Sequence, residues 1–347
     1  MALVTVAGTD IAYIELYTST KKAVVDYFVT SMGFVRTADT VAVDSSSALL
    51  RQGSVHLVVT TGPATWGFLD AHGDGIADIA FTCEDVDETV RAAVAAGARL
   101  SASAQGDPAV SGFGGVTHTL VPAGAWPNAL PPGRSWAPVP DSAAAPAGRT
   151  QHIQSLDHVA ICLDGGSLEK YADFYRDAFG FSRYSSEYVD VGAHAMDSVV
   201  VRSASGRITF TLVAPDLSKG TGQLDAFLER NGGPGVQHLA FLVDEIIPAV
   251  QDLHTGGVDF LSVPDSYYDG LLARFGGMRD EIDELRSAQV LADRDEWGYL
   301  LQLFSRSPYE RNTLFYELIQ RRGSRGFGSA NIRALYEAVE RDRLATE

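Results

Sequence analysis

Three potential metal ligands recur at nearly equal intervals along the chain. His158 and His238 lie 80 positions apart, and Glu317 follows after a further 79. Each occurs in a segment of alternating or continuous apolar residues, LDHVAIC, VQHLAF or FYELIQ, a pattern typical of buried β-strands. Because side chains alternate between the two faces of a strand, all three can point into one interior. Two imidazoles and one carboxylate on one face of a metal form the facial triad of non-haem iron(II) oxygenases.

The alternative is that these are three unrelated buried polar residues, each satisfied by a hydrogen bond. That alternative is weakened at Glu317, since a buried carboxylate without a cation or a donor is costly. The other histidines are poorer candidates, and His118 in particular has no acidic partner that the sequence identifies. We therefore predict a metal site built from the triad.

An internal repeat supports this selection. The strand-like segments IAYIELY, from Ile11, and LDHVAIC, from Leu156, are each followed by an amphipathic helical stretch that ends in Gly-Phe. Farther along, GIADIAF, from Gly75, matches GVQHLAF, from Gly235, and each leads into another helical run. The strand–helix–strands unit thus occurs about four times, twice in each half, which indicates a duplicated fold.

In the first half, the positions that match the triad hold Tyr13, Asp78 and Thr119. Only Asp78 is a strong metal ligand, so we predict that the first half has no metal site. The repeat therefore places the chemistry in the second half and gives the first half a structural role.

Length and composition are consistent with two globular domains. The chain has 347 residues, of which 46% are hydrophobic, and a formal net charge of −17. Such a charge argues against nucleic acid or an anionic membrane surface as a partner. Eight of the 14 prolines fall between Pro108 and Pro146, which predicts a linker there.

Cellular location is predicted from three further features. The two cysteines, Cys83 and Cys162, lie in apolar strand-like runs and are expected to be buried free thiols. The N-terminal segment lacks the pattern of a signal peptide, and the longest uncharged stretch is too rich in Pro and Gly for a membrane helix. A cytoplasmic protein is therefore expected.

A set of motifs in the second half resembles a known family. In chain order they are LDHVAICL, FYRDAFGF, GGPGVQHLAF, PDSYYDGL, LLQLFSRSP, TLFYELIQR and RGFGSANIRALYEAVE. Weaker matches, HGDGIADIAF and GFGGVTHTL, extend the likeness into the first half. The chain resembles the 4-hydroxyphenylpyruvate dioxygenase family, whose members oxidise an α-keto acid with iron(II) and O₂.

This resemblance implies an α+β, vicinal-oxygen-chelate fold in which paired βαβββ modules form two open barrels. Residues 1–130 would form an N-terminal barrel without a metal, residues 131–151 a linker, and residues 152–347 a catalytic barrel closed by a C-terminal helix. Iron(II) would be bound by the triad, and the substrates would be 4-hydroxyphenylpyruvate and O₂. The sequence leaves the oligomeric state open, a homo-oligomer included.

The resemblance also implies a set of substrate-contacting side chains beyond the metal ligands. They are Ser198, Thr211, Gln223, Gln237, Gln302, Phe304, Phe327, Asn331, Ile332 and Tyr336. For most of these positions a packing or hydrogen-bonding role is an equally good interpretation.

Two positions bear on the product. Family members that hydroxylate the ring and form homogentisate have the pattern FGKGNF where this chain has FGSANI. By this resemblance, Ile332 replaces an aromatic residue. They also commonly carry Asn where this chain has Val213. Both departures favour hydroxylation of the benzylic carbon, which gives 4-hydroxymandelate. The alternative for Ile332 is neutral drift within an apolar helix stripe.

Three rival functions remain open from the sequence. The nearest is formation of homogentisate by the same type of site. An extradiol catechol dioxygenase can share the fold and the triad, although the GFGSANI motif disfavours it. A metal-free binding protein of the same fold is the rival that is not an enzyme.

Overall fold

A computed structural model describes residues 8–102, 107–125, 130–140, 150–190, 193–275, 279–328 and 331. These residues form two curved, mostly antiparallel sheets with helices packed against them. The nine strands of the first sheet are β1 (Gly8–Tyr17), β2 (Val35–Val41), β3 (Ser46–Gln52), β4 (Val55–Thr61), β5 (Gly75–Cys83), β6 (Leu100–Ala102), β7 (Pro108–Ser111), β8 (Thr117–Pro122) and β9 (Ala137–Pro138). Their spatial order is β6-β7-β8-β5-β1-β4-β3-β2-β9.

The second sheet repeats this arrangement. Its eight strands are β10 (Ile153–Cys162), β11 (Ser182–Asp190), β12 (Ala195–Arg202), β13 (Thr209–Pro215), β14 (Gly235–Val243), β15 (Leu291–Arg294), β16 (Tyr299–Phe304) and β17 (Phe315–Arg322). Their spatial order is β11-β12-β13-β10-β14-β17-β16-β15. In both sheets the first strand pairs antiparallel with one central neighbour and parallel with the other. The fold is therefore the predicted vicinal-oxygen-chelate architecture with two sheet units.

Eight α-helices connect the strands of the described residues. They are α1 (Lys21–Asp26), α2 (Trp66–His72), α3 (Val86–Ala95), α4 (Leu168–Phe179), α5 (Gln223–Asn231), α6 (Ile246–Thr255), α7 (Asp265–Arg274) and α8 (Arg279–Ser287). A π-helical turn, Tyr27–Ser31, continues α1, and short 3₁₀ turns span Pro63–Thr65 and Ala123–Ala125. Helix α4 stops at Gly180, whose φ of 69° only glycine adopts freely, as the Gly-Phe signal predicts. No helix in the described part of the chain is long and apolar enough to cross a membrane.

A shared core joins the two sheets. His118 of the first sheet lies 3.0 Å from the hydroxyl of Tyr175 on α4, and its ring stacks on Phe81 with 4.5 Å between the centroids. Phe179 and Phe210 of the second half pack edge-on or tilted against Phe81. Burial lowers the pKa of His118 to about 4, so its imidazole is neutral at pH 7. His118 thus contributes to packing between the halves.

Both cysteines are buried and free, as the sequence predicts. The predicted linker residues 131–151 include β9, which pairs with β2 at the edge of the first sheet. Residues 141–149 of that linker and residues 332–347 at the C-terminus lie outside the described residues.

Candidate metal centre and adjoining cavity

Three adjacent central strands carry the predicted ligands at one level. His158 on β10 is opposite Ala240 on β14, and Ala240 is in turn opposite Glu317 on β17. His238 on β14 is opposite Ala160 on β10, one pleat away. Because residues directly opposite one another share a face of the sheet, the three side chains project from the concave side into the same interior.

The ligand atoms of the triad lie close together in a buried site. Glu317 Oε2 is 3.3 Å from the Nε2 atom of His158 and 3.3 Å from that of His238. The two Nε2 atoms are 3.4 Å apart. All three ligand atoms lie within 4.8 Å of one another, and each residue is less than 9% exposed.

The second nitrogen of each imidazole is already occupied by an acceptor. His158 Nδ1 donates to Asp157 Oδ1 over 2.9 Å, and His238 Nδ1 donates to Gln237 Oε1 over 3.2 Å. A carboxylate can only accept, so the proton of neutral His158 is on Nδ1 and its Nε2 carries a lone pair. Lone pairs of two imidazoles and a carboxylate then converge on one point. A cation at that point would satisfy all three, so the residues present fit a divalent metal such as iron(II).

Electrostatics leads to the same conclusion. Burial opposes ionisation of Glu317, but the charge and hydrogen bond of His158 outweigh it and hold the Glu317 pKa at about 2. Burial alone would lower the pKa of His158. Together, Glu317 and Asp157 have the larger, opposite effect and raise this pKa to about 9. The pKa of His238 is lowered, mainly by burial. The site therefore concentrates negative charge, which a proton or a metal cation must balance.

A buried ion pair behind His158 sets its orientation. Asp157 accepts hydrogen bonds from Arg321 over 2.6 and 2.8 Å, and Arg321 also donates to the carbonyl of Gly326 over 2.7 Å. The Arg321 guanidinium lies over the ring of Phe327, 5.3 Å from its centroid. This chain of contacts links the iron-ligand candidate to the segment that leads towards the C-terminus, and such partners behind a ligand fix its tautomer.

Simple alternation of side chains along the strand predicts the wrong face for Asp157. Alternation places the residue before His158 on the opposite face, yet Asp157 reaches the imidazole. The pairing of β10 with β14 shifts register between Leu156 and His158, so Asp157 is the extra residue of a β-bulge. The bulge turns the carboxylate towards the ligand, and sequence periodicity has no signal for it.

Glu317 is held from the other side by the amide of Gln302, which Asn331 supports in turn. Gln302 Nε2 donates to Glu317 Oε1 over 2.7 Å, and Asn331 Nδ2 donates to Gln302 Oε1 over 2.8 Å. Asn331 Oδ1 accepts from the hydroxyl of Tyr267 over 2.7 Å. One carboxylate oxygen is thereby fixed by Gln302, which leaves Oε2 directed towards the imidazoles.

A cavity of about 70 Å³ adjoins the triad. Ten of the predicted site residues line it: His158, Ser198, Thr211, Gln223, Gln237, His238, Gln302, Phe304, Glu317 and Phe327. Asn331 is not in its lining and instead supports Gln302, while Ile332 and Tyr336 lie outside the described residues. The structure thus brings most of the predicted residues to one place, while their individual roles towards a substrate remain predictions.

Six lining residues were not predicted from the sequence. They are Ser185, Glu187, Met196, Val200, Leu224 and Phe315. Strand register would have found part of this group, because Val200 is opposite Thr211, and Glu187 is opposite Ser198, on the same face. That register depends on pairing between distant segments, which one sequence does not reveal.

The cavity wall is mostly apolar, with a few polar groups. Val213, Met196 and Phe304 all line it, and Val213 is 5% exposed. Thr211 Oγ1 is buried and has no hydrogen-bond partner among the described residues, whereas Ser198 Oγ donates to the backbone oxygen of Glu187 over 3.1 Å. Buried hydroxyls are nearly always hydrogen-bonded, so Thr211 is suited to a polar group of a bound ligand.

Comparison with known proteins agrees with this geometry. Residues 5–123 match the model of the hydroxyphenylpyruvate dioxygenase N-terminal domain, and residues 155–303 match that of the glyoxalase/bleomycin resistance protein/dioxygenase superfamily. Among curated proteins, 4-hydroxyphenylpyruvate dioxygenase of Yarrowia lipolytica is 30% identical over 95% of this chain and 91% of its own length. The corresponding protein of Aspergillus fumigatus is 29% identical over 95% and 92%.

A solved structure is more similar still. A mutant of 4-hydroxymandelate synthase from Streptomyces coelicolor is 50% identical, superposes with a TM-score of 0.86, and is matched over 96% of this chain and 99% of that one. These similarities extend over nearly the whole chain. The chain therefore belongs to the 4-hydroxyphenylpyruvate dioxygenase family of non-haem iron dioxygenases.

Proposed function

We propose that this enzyme converts 4-hydroxyphenylpyruvate and O₂ to 4-hydroxymandelate and CO₂. One oxygen atom of O₂ enters the carboxylate that remains after loss of CO₂, and the other enters the benzylic carbon. The observation that carries the proposal is the 50% identity to a mutant 4-hydroxymandelate synthase over 96% of this chain, against about 30% for the dioxygenases.

Iron(II) is the proposed cofactor, with His158, His238 and Glu317 as its ligands. When bound, it would supply the redox chemistry that couples loss of CO₂ to use of O₂. The protein contributes three fixed donor atoms on one side and leaves the cavity side open to substrate. Asp157 and Gln302 keep the donors in place during turnover because each contacts a ligand directly.

The cavity wall determines which carbon is oxidised. Met196, Val213 and Phe304 form an apolar surface for the aromatic ring, and Thr211 offers a hydroxyl that has no hydrogen-bond partner in the described part of the chain. Because ring and benzylic hydroxylation start from the same reactants, the outcome depends on which carbon the wall holds nearest the metal. Val213 in place of a polar Asn favours a ring position away from the metal, and we propose the same effect for Ile332.

The division of labour along the chain follows from this assignment. We propose that residues 1–130 form a structural barrel, residues 131–151 connect it, and residues 152–347 form the catalytic barrel. The proposed substrate-binding set has ten members: Ser198, Thr211, Gln223, Gln237, Gln302, Phe304, Phe327, Asn331, Ile332 and Tyr336.

Product analysis tests the function. The iron-loaded enzyme is incubated with 4-hydroxyphenylpyruvate, ascorbate and O₂, and the products are separated by chromatography. We expect 4-hydroxymandelate as the main product, and none from a Glu317→Ala control. Homogentisate as the main product would replace the proposal by the dioxygenase function that the curated relatives carry. No bound metal and no O₂ uptake would favour a binding protein instead.

A further inference from the structure

A second, smaller cavity adjoins the metal cavity and has no assigned function. It has a volume of about 60 Å³ and lies between α5, the segment before β17 and the end of β16. Gln223, Gln237 and Phe315 line both cavities, so these three side chains form the partition between them. We call this space the side cavity.

Charge distinguishes the side cavity from the rest of the molecule. Its lining contains two guanidinium groups, Arg230 and Arg306, and no carboxylate, although the chain as a whole has a net charge of −17. The metal cavity has the opposite character, since Glu187 and Glu317 line it and no Lys or Arg does. An organic anion is therefore attracted to the side cavity before any attraction by a metal.

A buried hydroxyl supports a ligand in this space. Thr313 is 3% exposed and lines the side cavity, and its Oγ1 has no hydrogen-bond partner among the described residues. Arg306 is 35% exposed and forms a 3.3 Å ion pair with Asp259, whose own side chain is 73% exposed. Such a solvent-exposed pair is weak, so a ligand carboxylate can compete for Arg306.

The partition is less buried than the metal ligands beside it. Gln223, Gln237 and Phe315 are each only partly buried, whereas His238 and Glu317 behind them are buried. Phe315 stacks on His238 with 5.0 Å between the ring centroids, so rotation of its ring would open the path beside the metal ligand. Side-chain rotations of this kind occur without rearrangement of the backbone.

We propose that the side cavity is an access site for the α-keto acid, where Arg230, Arg306 and Thr313 receive the carboxylate before it passes the partition to the metal centre. The proposal rests on the proposed function, because it takes an anionic keto acid as the substrate. Electrostatic attraction of this kind raises the rate of association by about 10- to 1,000-fold and weakens with salt. It leaves the chemical step unchanged.

The test uses the iron-loaded enzyme with Arg230→Gln and Arg306→Gln combined. Its control combines Arg176→Gln and Arg207→Gln, which remove two charges from side chains that are 57% and 64% exposed elsewhere. Anaerobic stopped-flow mixing with 4-hydroxyphenylpyruvate gives association and dissociation rates at several salt concentrations. We expect association by the test variant to be about tenfold slower at low salt, with a flatter salt dependence and kcat within about twofold of wild type.

A second variant keeps the charge and shape of the site. Thr313→Val removes only the hydroxyl, and we expect it to slow association about threefold, in line with one lost hydrogen bond. Equal association rates for the test and control double variants would overturn the proposal, as would a loss confined to kcat. Product identity is decided separately, since an enzyme that forms homogentisate from the same keto acid would still show the association defect.

Discussion

In the first sheet, the positions equivalent to the three ligand candidates hold Tyr13, Asp78 and Thr119, and the strand register is the same. Tyr13 is opposite Ala80, as His158 in the second sheet is opposite an alanine. The two sheets therefore present the same three places to their interiors. Their difference lies in the side chains, which decide whether an interior becomes packed or reactive.

The first interior is occupied by the protein's own chain. Arg134, in the segment between β8 and β9, forms a 2.5 Å ion pair with Glu15, and their side chains are only 5% and 3% exposed. Trp136 packs beside Arg134 and against the apolar cluster that includes Tyr13, and its ring nitrogen donates to Pro131 over 2.7 Å. The second interior has a cavity at the equivalent level. A duplicated backbone thus carries a filled barrel and an open one.

Substitution of the equivalent residue in each sheet by alanine should give the largest difference in activity and iron binding. Glu317→Ala removes a charged donor, and we expect turnover to fall by more than about 100-fold with loss of most bound iron, since even residues behind a ligand cost 10- to 100-fold. Thr119→Ala changes the matching position in the first sheet and should leave turnover and bound iron within about twofold of wild type. Iron analysis and oxygen uptake measure the two variants, and near-normal values for Glu317→Ala would refute the metal site.

Asp78 extends the comparison of the two sheets to the pH dependence of protein stability. Burial, and then the nearby Glu15, raise the pKa of Asp78 to about 7, although Thr117 and the Thr119 amide donate to it. The folded protein therefore keeps a proton on Asp78 that the unfolded chain loses near pH 4. The stabilisation that Asp78 contributes through this proton is complete below about pH 4. The free energy of unfolding then declines by up to about 1.4 kcal/mol per pH unit as pH rises to about 7.

We expect Asp78→Asn to remove this decline, because the amide keeps the accepting oxygen and cannot ionise. Urea unfolding at pH 5, 6, 7 and 8 measures the difference from wild type, which should grow in favour of the variant up to about pH 7. Asp283→Asn, at an exposed site, is the control. A difference that stays constant with pH would show that Asp78 is ionised in the folded protein.

Asp157 tests the opposite side of the comparison, where a carboxylate must stay charged. Arg321 and His158 hold the pKa of Asp157 well below its usual range despite burial. Asp157→Asn weakens the acceptor for His158 Nδ1 and leaves Arg321 with a neutral partner, so iron affinity should fall about 10- to 100-fold. Titration with iron(II) checks this. Asp252→Asn, which alters the exposed partner of His152, should not change iron affinity.

Much of the fold and the triad could be predicted because both leave local traces. The duplicated strand motifs, the Gly-Phe helix ends and the spacing of His158, His238 and Glu317 are visible in one sequence. The β-bulge at Asp157 and the register of β11 and β12 are not, since they depend on pairing between distant segments.

Arg134 shows the same limit. The composition of its segment predicts a linker, and nothing local indicates that its guanidinium enters a barrel to reach Glu15. Long-range pairing of a buried charge is determined by tertiary structure, so periodicity and composition do not predict it.

The smallest expected effect is a change in the ratio of the two products. Ile332→Phe should move product from 4-hydroxymandelate towards ring-oxidised products, because a larger aromatic side chain holds the substrate ring nearer the reacting oxygen. A change of about 1.4 kcal/mol between two barriers alters a product ratio tenfold. One aromatic contact contributes roughly 0.5–1.5 kcal/mol beyond area burial, so the ratio should shift by up to about tenfold. Complete conversion should also require Val213→Asn on the cavity wall, and chromatography of both single variants and the double variant measures each contribution. An unchanged ratio in Ile332→Phe, with 4-hydroxymandelate still formed, would remove the steering role of Ile332 and leave the proposed reaction in place.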